Sequence, residues 1–209
     1  MDVPVERPAE ISRRERKKLA VRARLLEVAA ELFDAHGLAA TRVAEICERA
    51  DVAQKTFFNH FASKQELLRE LARHALEGLL ADVEEARKQE HSTPGRLVRF
   101  FDRVAERAEA GGAMHRELVT ELAHAVHASQ RGSEHARRLH DAFAALVRDG
   151  LAAGDVTRRH DPETLTEMIL GAYYVLIFNY ANLEGFPIRR QARAAARFLA
   201  DALAPAAEE

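Results

Sequence analysis

Apolar residues recur along nearly the whole chain at spacings of three and four, and no useful stretch alternates apolar with polar. The pattern predicts an all-α protein of about nine helices. The first runs from about Arg14 to His36, with Leu25, Leu26, Ala29, Leu32 and Phe33 on one face, and Gly37 is placed to end it in a left-handed turn. Next, Val43, Ile46, Cys47 and Ala50 form a short stripe, and Thr41 stands ahead of it as a candidate N-cap. The tight turn Ala50-Asp51-Val52 follows, where Asp tolerates a left-handed backbone. A second short helix then buries Phe57 and Phe61 and leaves Gln54, Lys55, Thr56, Asn59 and His60 mostly outward. Ser63-x-x-Glu66 reads as a capping box. It opens a long helix through Leu67, Leu71, Leu76, Leu79 and Val83 to about Gln89, which is too long to serve the N-terminal core alone.

His91-Ser92-Thr93-Pro94-Gly95 is the clearest break in the chain. Beyond it the periodicity predicts helices over about 95–110, 113–129, 133–153, 161–182 and 188–204. The helix from 161 has a strong start signal in Asp161-Pro162-Glu163. The expected organisation is a disordered start at 1–12, a helix-turn-helix domain at 13–75 and a helical effector and dimerisation domain at 76–209.

Two short helices across a tight turn, the second showing amides, a cation and hydroxyls, suggest a helix-turn-helix. Gln and Asn can make paired bonds to adenine, and Lys can reach guanine, in the major groove. The same residues would equally suit a solvated hairpin of an all-helical protein. From about Arg22 to Leu68, however, the chain resembles the DNA-binding domain of the tetracycline-repressor (TetR) family of bacterial regulators. The matching features are Leu25 to Gly37 (LLEVAAELFDAHG), Thr41-x-Val43-x-x-Ile46, and Val52-x-x-x-Thr56-Phe57-Phe58-x-His60-Phe61-x-Ser63-Lys64. The resemblance implies that the helix over 54–59 enters the major groove, with Gln54, Lys55, Thr56, Asn59 and His60 reading bases. It implies that Thr41, Arg42 and Lys64 hold phosphates and that Phe58 positions the backbone. Three residues depart from the family pattern. Asp51 stands where Gly is usual in the turn, Ala53 where Ser often caps the helix, and Phe58 where Tyr is commonest.

The segment from Leu165 to Phe178 is apolar on more than one face and needs cover on most sides. A two-fold partner would supply it, and the resemblance implies dimerisation through the last two helices. The expected interface comprises Leu165, Ile169, Tyr174, Ile177, Phe178 and Phe198. The resemblance also implies a small-molecule effector among the middle helices, with Phe100, Phe101, Val104, Met114, Leu118, Leu122, Phe143, Tyr173 and Asn179 as candidates. Such an apolar lining would suit a hydrophobic or aromatic compound, although ordinary core packing is the favoured reading of each residue taken singly.

Net charge is −2 overall. Residues 1–75 carry 14 Lys+Arg against 12 Asp+Glu, and the remainder 17 against 21. The eight basic residues between Arg7 and Arg24 form an arm suited to unspecific duplex attraction around Arg13–Lys18. The single Cys47 lies on an apolar stripe and reads as core. The start lacks a signal-peptide core, and the longest apolar run, Met168 to Phe178, is too short to span a bilayer. A cytoplasmic protein is expected.

No catalytic motif stands out. His124 and His127, with Glu121 a turn before and His115, His135 and His140 nearby, have spacings that helical surfaces produce by chance, so neither metal nor cofactor is expected. The reading is a homodimeric, sequence-specific DNA-binding regulator. In its leading form it is a repressor that binds a pseudo-palindromic operator and is released by a small molecule. The rivals are a helical enzyme or carrier with a merely structural hairpin, and a ligand-independent or activating DNA binder.

Overall fold

The structure is a computed structural model. It describes residues 12–112, 114–119 and 130–205, without side-chain detail at 130–133 and 135. Among the described residues there is no strand. The helices are α1 (Arg13–Ala40), α2 (Val43–Arg49), α3 (Gln54–His60), α4 (Lys64–Gln89), α5 (Thr93–Ala110), α6 (Gln130–Ala153), α7 (Pro162–Asn182) and α8 (Ile188–Leu203). A further helical stretch covers 114–119. The chain divides into two compact units, Met1–Leu67 and Leu68–Glu209.

In the first unit α1 starts one residue before the expected Arg14, on a capping box. Ser12 Oγ accepts from the Glu15 N–H at 3.2 Å, and Glu15 Oε2 accepts from the Ser12 N–H at 3.0 Å. That capping extends helical order to the basic segment, so Arg13 to Lys18 project from a helix and are exposed. The expected disordered start lies almost wholly outside the described residues. Gly37 takes φ 78°, the left-handed value expected, although helical geometry resumes for three residues before Thr41. Leu25, Val28, Ala29, Leu32 and Phe33 then pack with Ile46, Cys47, Phe57, Phe61 and Leu67, all essentially closed to solvent. The Cys47 thiol is pushed up by burial, which suits an inert core residue.

The second unit has its own core. Helix α5 lies along α8 and α6 along α7. Ser92 caps α5 by accepting from the Gly95 N–H at 3.2 Å, and Pro94 sits in the first turn, so α5 begins earlier than the expected Gly95. Helix α6 already runs at Gln130, before the expected start at Ser133. Asp161 caps α7 as the sequence indicates, with Oδ1 accepting from the Thr164 N–H at 2.9 Å. Phe100, Phe101, Phe143, Leu146 and Ile169 are fully buried at the centre. Buried Asp82 is held by Arg107 through paired contacts of 2.5 and 3.0 Å between α4 and α5. Gly150 lets α6 approach Thr93 and Val156 closely, since a Cβ there would collide with both side chains.

Candidate nucleic-acid interface

Helix α3 owes its orientation to two rings. Phe57 and Phe61 are both buried, with centroids 5.8 Å apart, and together they fix which face of the helix meets solvent. Asp51 turns the chain into α3 with φ 55°, the left-handed conformation expected there. Ala53 occupies the N-cap position without a side-chain bond. The exposed face then carries Gln54, Lys55, Phe58 and Asn59, while Thr56 is half-buried. Phe58 stands edge-on to Phe57 at 5.3 Å and is 53% exposed, an apolar group aimed outward without a donor.

Thr41, Lys64, His60 and Ser63 are each engaged within the chain. Thr41 is buried, and its hydroxyl donates to the Gly37 carbonyl at 2.9 Å and the Leu32 carbonyl at 3.2 Å. It therefore does not cap α2, and Arg42 takes the N-cap position without a side-chain bond. The Lys64 ammonium is turned onto the chain's own backbone, donating to the carbonyls of Leu38 and, at 2.6 Å, Thr41. Lys64 thus ties the start of α4 to the end of α1 within this unit. His60 is half-buried, with Nδ1 closed to solvent and lacking a hydrogen-bond partner among the described residues. Burial, and then the charges of Lys18 and Arg22, hold its imidazole below the usual histidine range. Finally, the Ser63 box is only half as expected. Ser63 Oγ accepts from Glu66 N–H at 3.1 Å, but the Glu66 carboxylate reaches the Ala62 N–H at 2.6 Å instead of Ser63.

Arg22 is the positioning residue that sequence reasoning missed. Its guanidinium donates to the His60 carbonyl at 3.1 Å and lies 4.4 Å over the Phe61 ring, so α1 clamps the last turn of α3. The bond spans 38 residues, so no local spacing announces it.

The scaffold and the chain's own similarities agree. Residues 25–71 match the model of the bacterial regulatory proteins of the tetR family. Through this segment the chain is similar to the tetR family. Over 60 residues the chain is 43% identical to the HTH-type transcriptional repressor KstR2 of Mycobacterium tuberculosis, covering 29% of this chain and 30% of that protein. Over 54 residues it is 46% identical to the HTH-type transcriptional regulator TcmR of Streptomyces glaucescens, covering 26% and 24% of the two chains. The matched segments thus span less than a third of either relative. At the level of the whole fold, the crystal structure of PfmR, a TetR-family regulator from Thermus thermophilus, aligns with a TM-score of 0.63 at 26% identity, covering 85% of this chain and 97% of that one. These relatives are named as regulators and repressors.

The remaining expected sites fall in the second unit. Phe100, Phe101 and Phe143 pack ring to ring, with Phe100 and Phe143 4.9 Å apart, and Tyr173 lies 5.8 Å from Phe100. Val104 and Leu118 are also buried, Met114 and Asn179 are half-buried, and Leu122 lies outside the described residues. Burial pushes the Tyr173 phenol far above its usual range. A groove of about 700 Å³ opens elsewhere, between the end of α5 and the start of α8, lined by Glu109, Phe186, Ile188, Arg189, Arg193 and Arg197. Of the expected dimer residues, Leu165, Ile169 and Ile177 are buried in this chain's own core and are not available to a partner. Tyr174, Phe178 and Phe198 are exposed, as are Met168, Val175 and Leu183. Of the histidines whose spacing bears on a metal site, His124 and His127 lie outside the described residues. His115 sits beside Tyr180, where burial holds its imidazole below the usual range. Among the described residues, no helix is long and apolar enough to cross a membrane.

Proposed function

We propose that this chain is a cytoplasmic, homodimeric, sequence-specific DNA-binding regulator, acting as a repressor that a small apolar or aromatic ligand releases from a pseudo-palindromic operator. The observation that carries the reading is the braced α3: Gln54, Lys55 and Asn59 face solvent from a helix whose other side is locked by Phe57 and Phe61. These three residues present donors and acceptors matched to purine edges in the major groove. Arg42 is exposed at the start of α2 and supplies the phosphate contact, with Phe58 bearing on the sugar–phosphate edge sterically. The exposed cations from Arg13 to Lys18 add attraction without sequence information.

The partner is a second copy. Met168, Val175 and Phe178 lie at i, i+7 and i+10 on one stripe of α7, and Phe178 is 61% and Phe198 71% exposed. Monomers rarely leave a contiguous apolar face of this kind uncovered. Pairing two copies sets two α3 helices against successive half-sites of one duplex. The proposed effector enters the aromatic centre around Phe100, Phe143 and Tyr173. It releases DNA only in so far as it binds the DNA-incompetent form more tightly, by roughly 1–3 kcal/mol for typical coupling.

Selection of bound duplexes from a random pool tests the core of this reading. The enriched site should be a pseudo-palindrome, and affinity should fall steeply with salt while a large specific-over-random ratio persists. Lys55→Ala should weaken binding by about 1–3 kcal/mol and relax preference at one base pair. Loss that is uniform across sequences would move Lys55 to a phosphate role, and absence of duplex binding at low salt would sink the reading.

A further inference from the structure

Far in sequence from α3, helices α6 and α7 bring three donor groups to one point. His140 Nε2, on α6, stands 3.1 Å from Glu163 Oε1 and 3.6 Å from Glu167 Oε1, both on the first turns of α7. One ligand atom from each residue lies within 4.8 Å of the other two. Nε2 is closed to solvent and, apart from these two carboxylates, has no polar partner among the described residues.

The separations are those of ligands around an ion. With bonds of ~2.0–2.2 Å and angles between octahedral and tetrahedral values, neighbouring donors stand roughly 2.9–3.5 Å apart. The 3.1 Å pair falls inside that range, and the 3.6 Å pair needs only a rotamer adjustment of exposed Glu167. On the opposite edge of the ring, Asp141 Oδ1 lies 3.8 Å from Nδ1. That is the side on which a metal-bound imidazole usually finds a carboxylate or carbonyl to orient it. An imidazole with two carboxylates favours zinc-like ions over Mg²⁺ and Ca²⁺, which prefer all-oxygen shells.

We propose that His140, Glu163 and Glu167 bind one divalent transition ion of the zinc type, closing α6 onto the start of α7 and leaving a fourth position to water. The site stands whether or not α3 reads DNA.

Zn²⁺ titration against a chromophoric chelator, with thermal melting at each step, tests it on the full chain. One equivalent should bind and raise the melting temperature with ion concentration. The visible spectrum of bound Co²⁺ should report low coordination number. Because the chain has ten histidines, the decisive variant leaves all of them in place. The double change Glu163→Gln, Glu167→Gln should weaken Zn²⁺ by on the order of 10- to 100-fold and abolish the ion-dependent rise in melting temperature. His140→Asn should do the same, while Mg²⁺ should raise the melting temperature of none of the three proteins. Zn²⁺ affinity unchanged in the double variant would place the ion on other histidines and overturn the proposal. So would a wild-type melting temperature indifferent to Zn²⁺.

Discussion

Thr41 and His60 show how a polar side chain near a binding surface can belong to the interior. Thr41 follows a left-handed glycine and spends its hydroxyl on two carbonyls of α1. Thr41→Val keeps the shape and removes the donor, so urea unfolding should show a loss of about 0.5–1.5 kcal/mol, the net worth of one hydrogen bond, since the Gly37 carbonyl keeps the Thr41 N–H. His60 gives a pH signature. Its folded pKa is depressed, so the unfolded chain takes up the proton first as pH falls. Stability is therefore undiminished above the ordinary histidine value near 6.5 and declines as pH drops below it toward the folded value. Melting temperatures from neutral to mildly acid pH should fall more steeply in the wild type than in His60→Asn. Equal slopes would show that the ring titrates freely.

At the scale of elements, most of the architecture is legible because each helix carries a 3.6-residue stripe and explicit stop signals. The Asp161-Pro162-Glu163 start, the Asp51 turn and the inward Phe57–Phe61 pair all follow from local rules. Even the Ser12 box has a local signature, S-x-x-E, in the four residues from Ser12 to Glu15. What local rules cannot supply are contacts between residues far apart in sequence. The Arg22 clamp on α3, the commitment of Lys64 to backbone carbonyls and the meeting of His140 with Glu163 each depend on how helices pack. Leu165 and Ile177 illustrate the same limit, since an all-apolar helix does not reveal which side its own chain will cover. The bare N-cap of α3 makes a separate prediction. Ala53 already has the extended backbone a cap requires, with φ −68° and ψ 148°. Ala53→Ser should therefore stabilise the chain by about 0.5–2 kcal/mol in chemical denaturation. No gain would mean that the α3 start is satisfied in another way.

At the scale of the whole molecule, the uncovered stripe of α7 and Phe198 of α8 predict self-association. Phe178→Asp combined with Phe198→Asp should shift the protein from dimer to monomer in sedimentation, while leaving its helical content intact because both side chains lie outside the core. The same variant should retain unspecific duplex binding at low salt and lose most of its preference for a two-half-site operator. A variant that remains dimeric would place the interface elsewhere.

That stripe has a further implication for response. If occupancy of an operator requires two chains to meet first, the bound fraction rises with roughly the square of copy number while monomers predominate. A cell holding few molecules would then feel a threshold rather than a graded dial, set by how strongly two patches of phenylalanine and valine prefer each other to water.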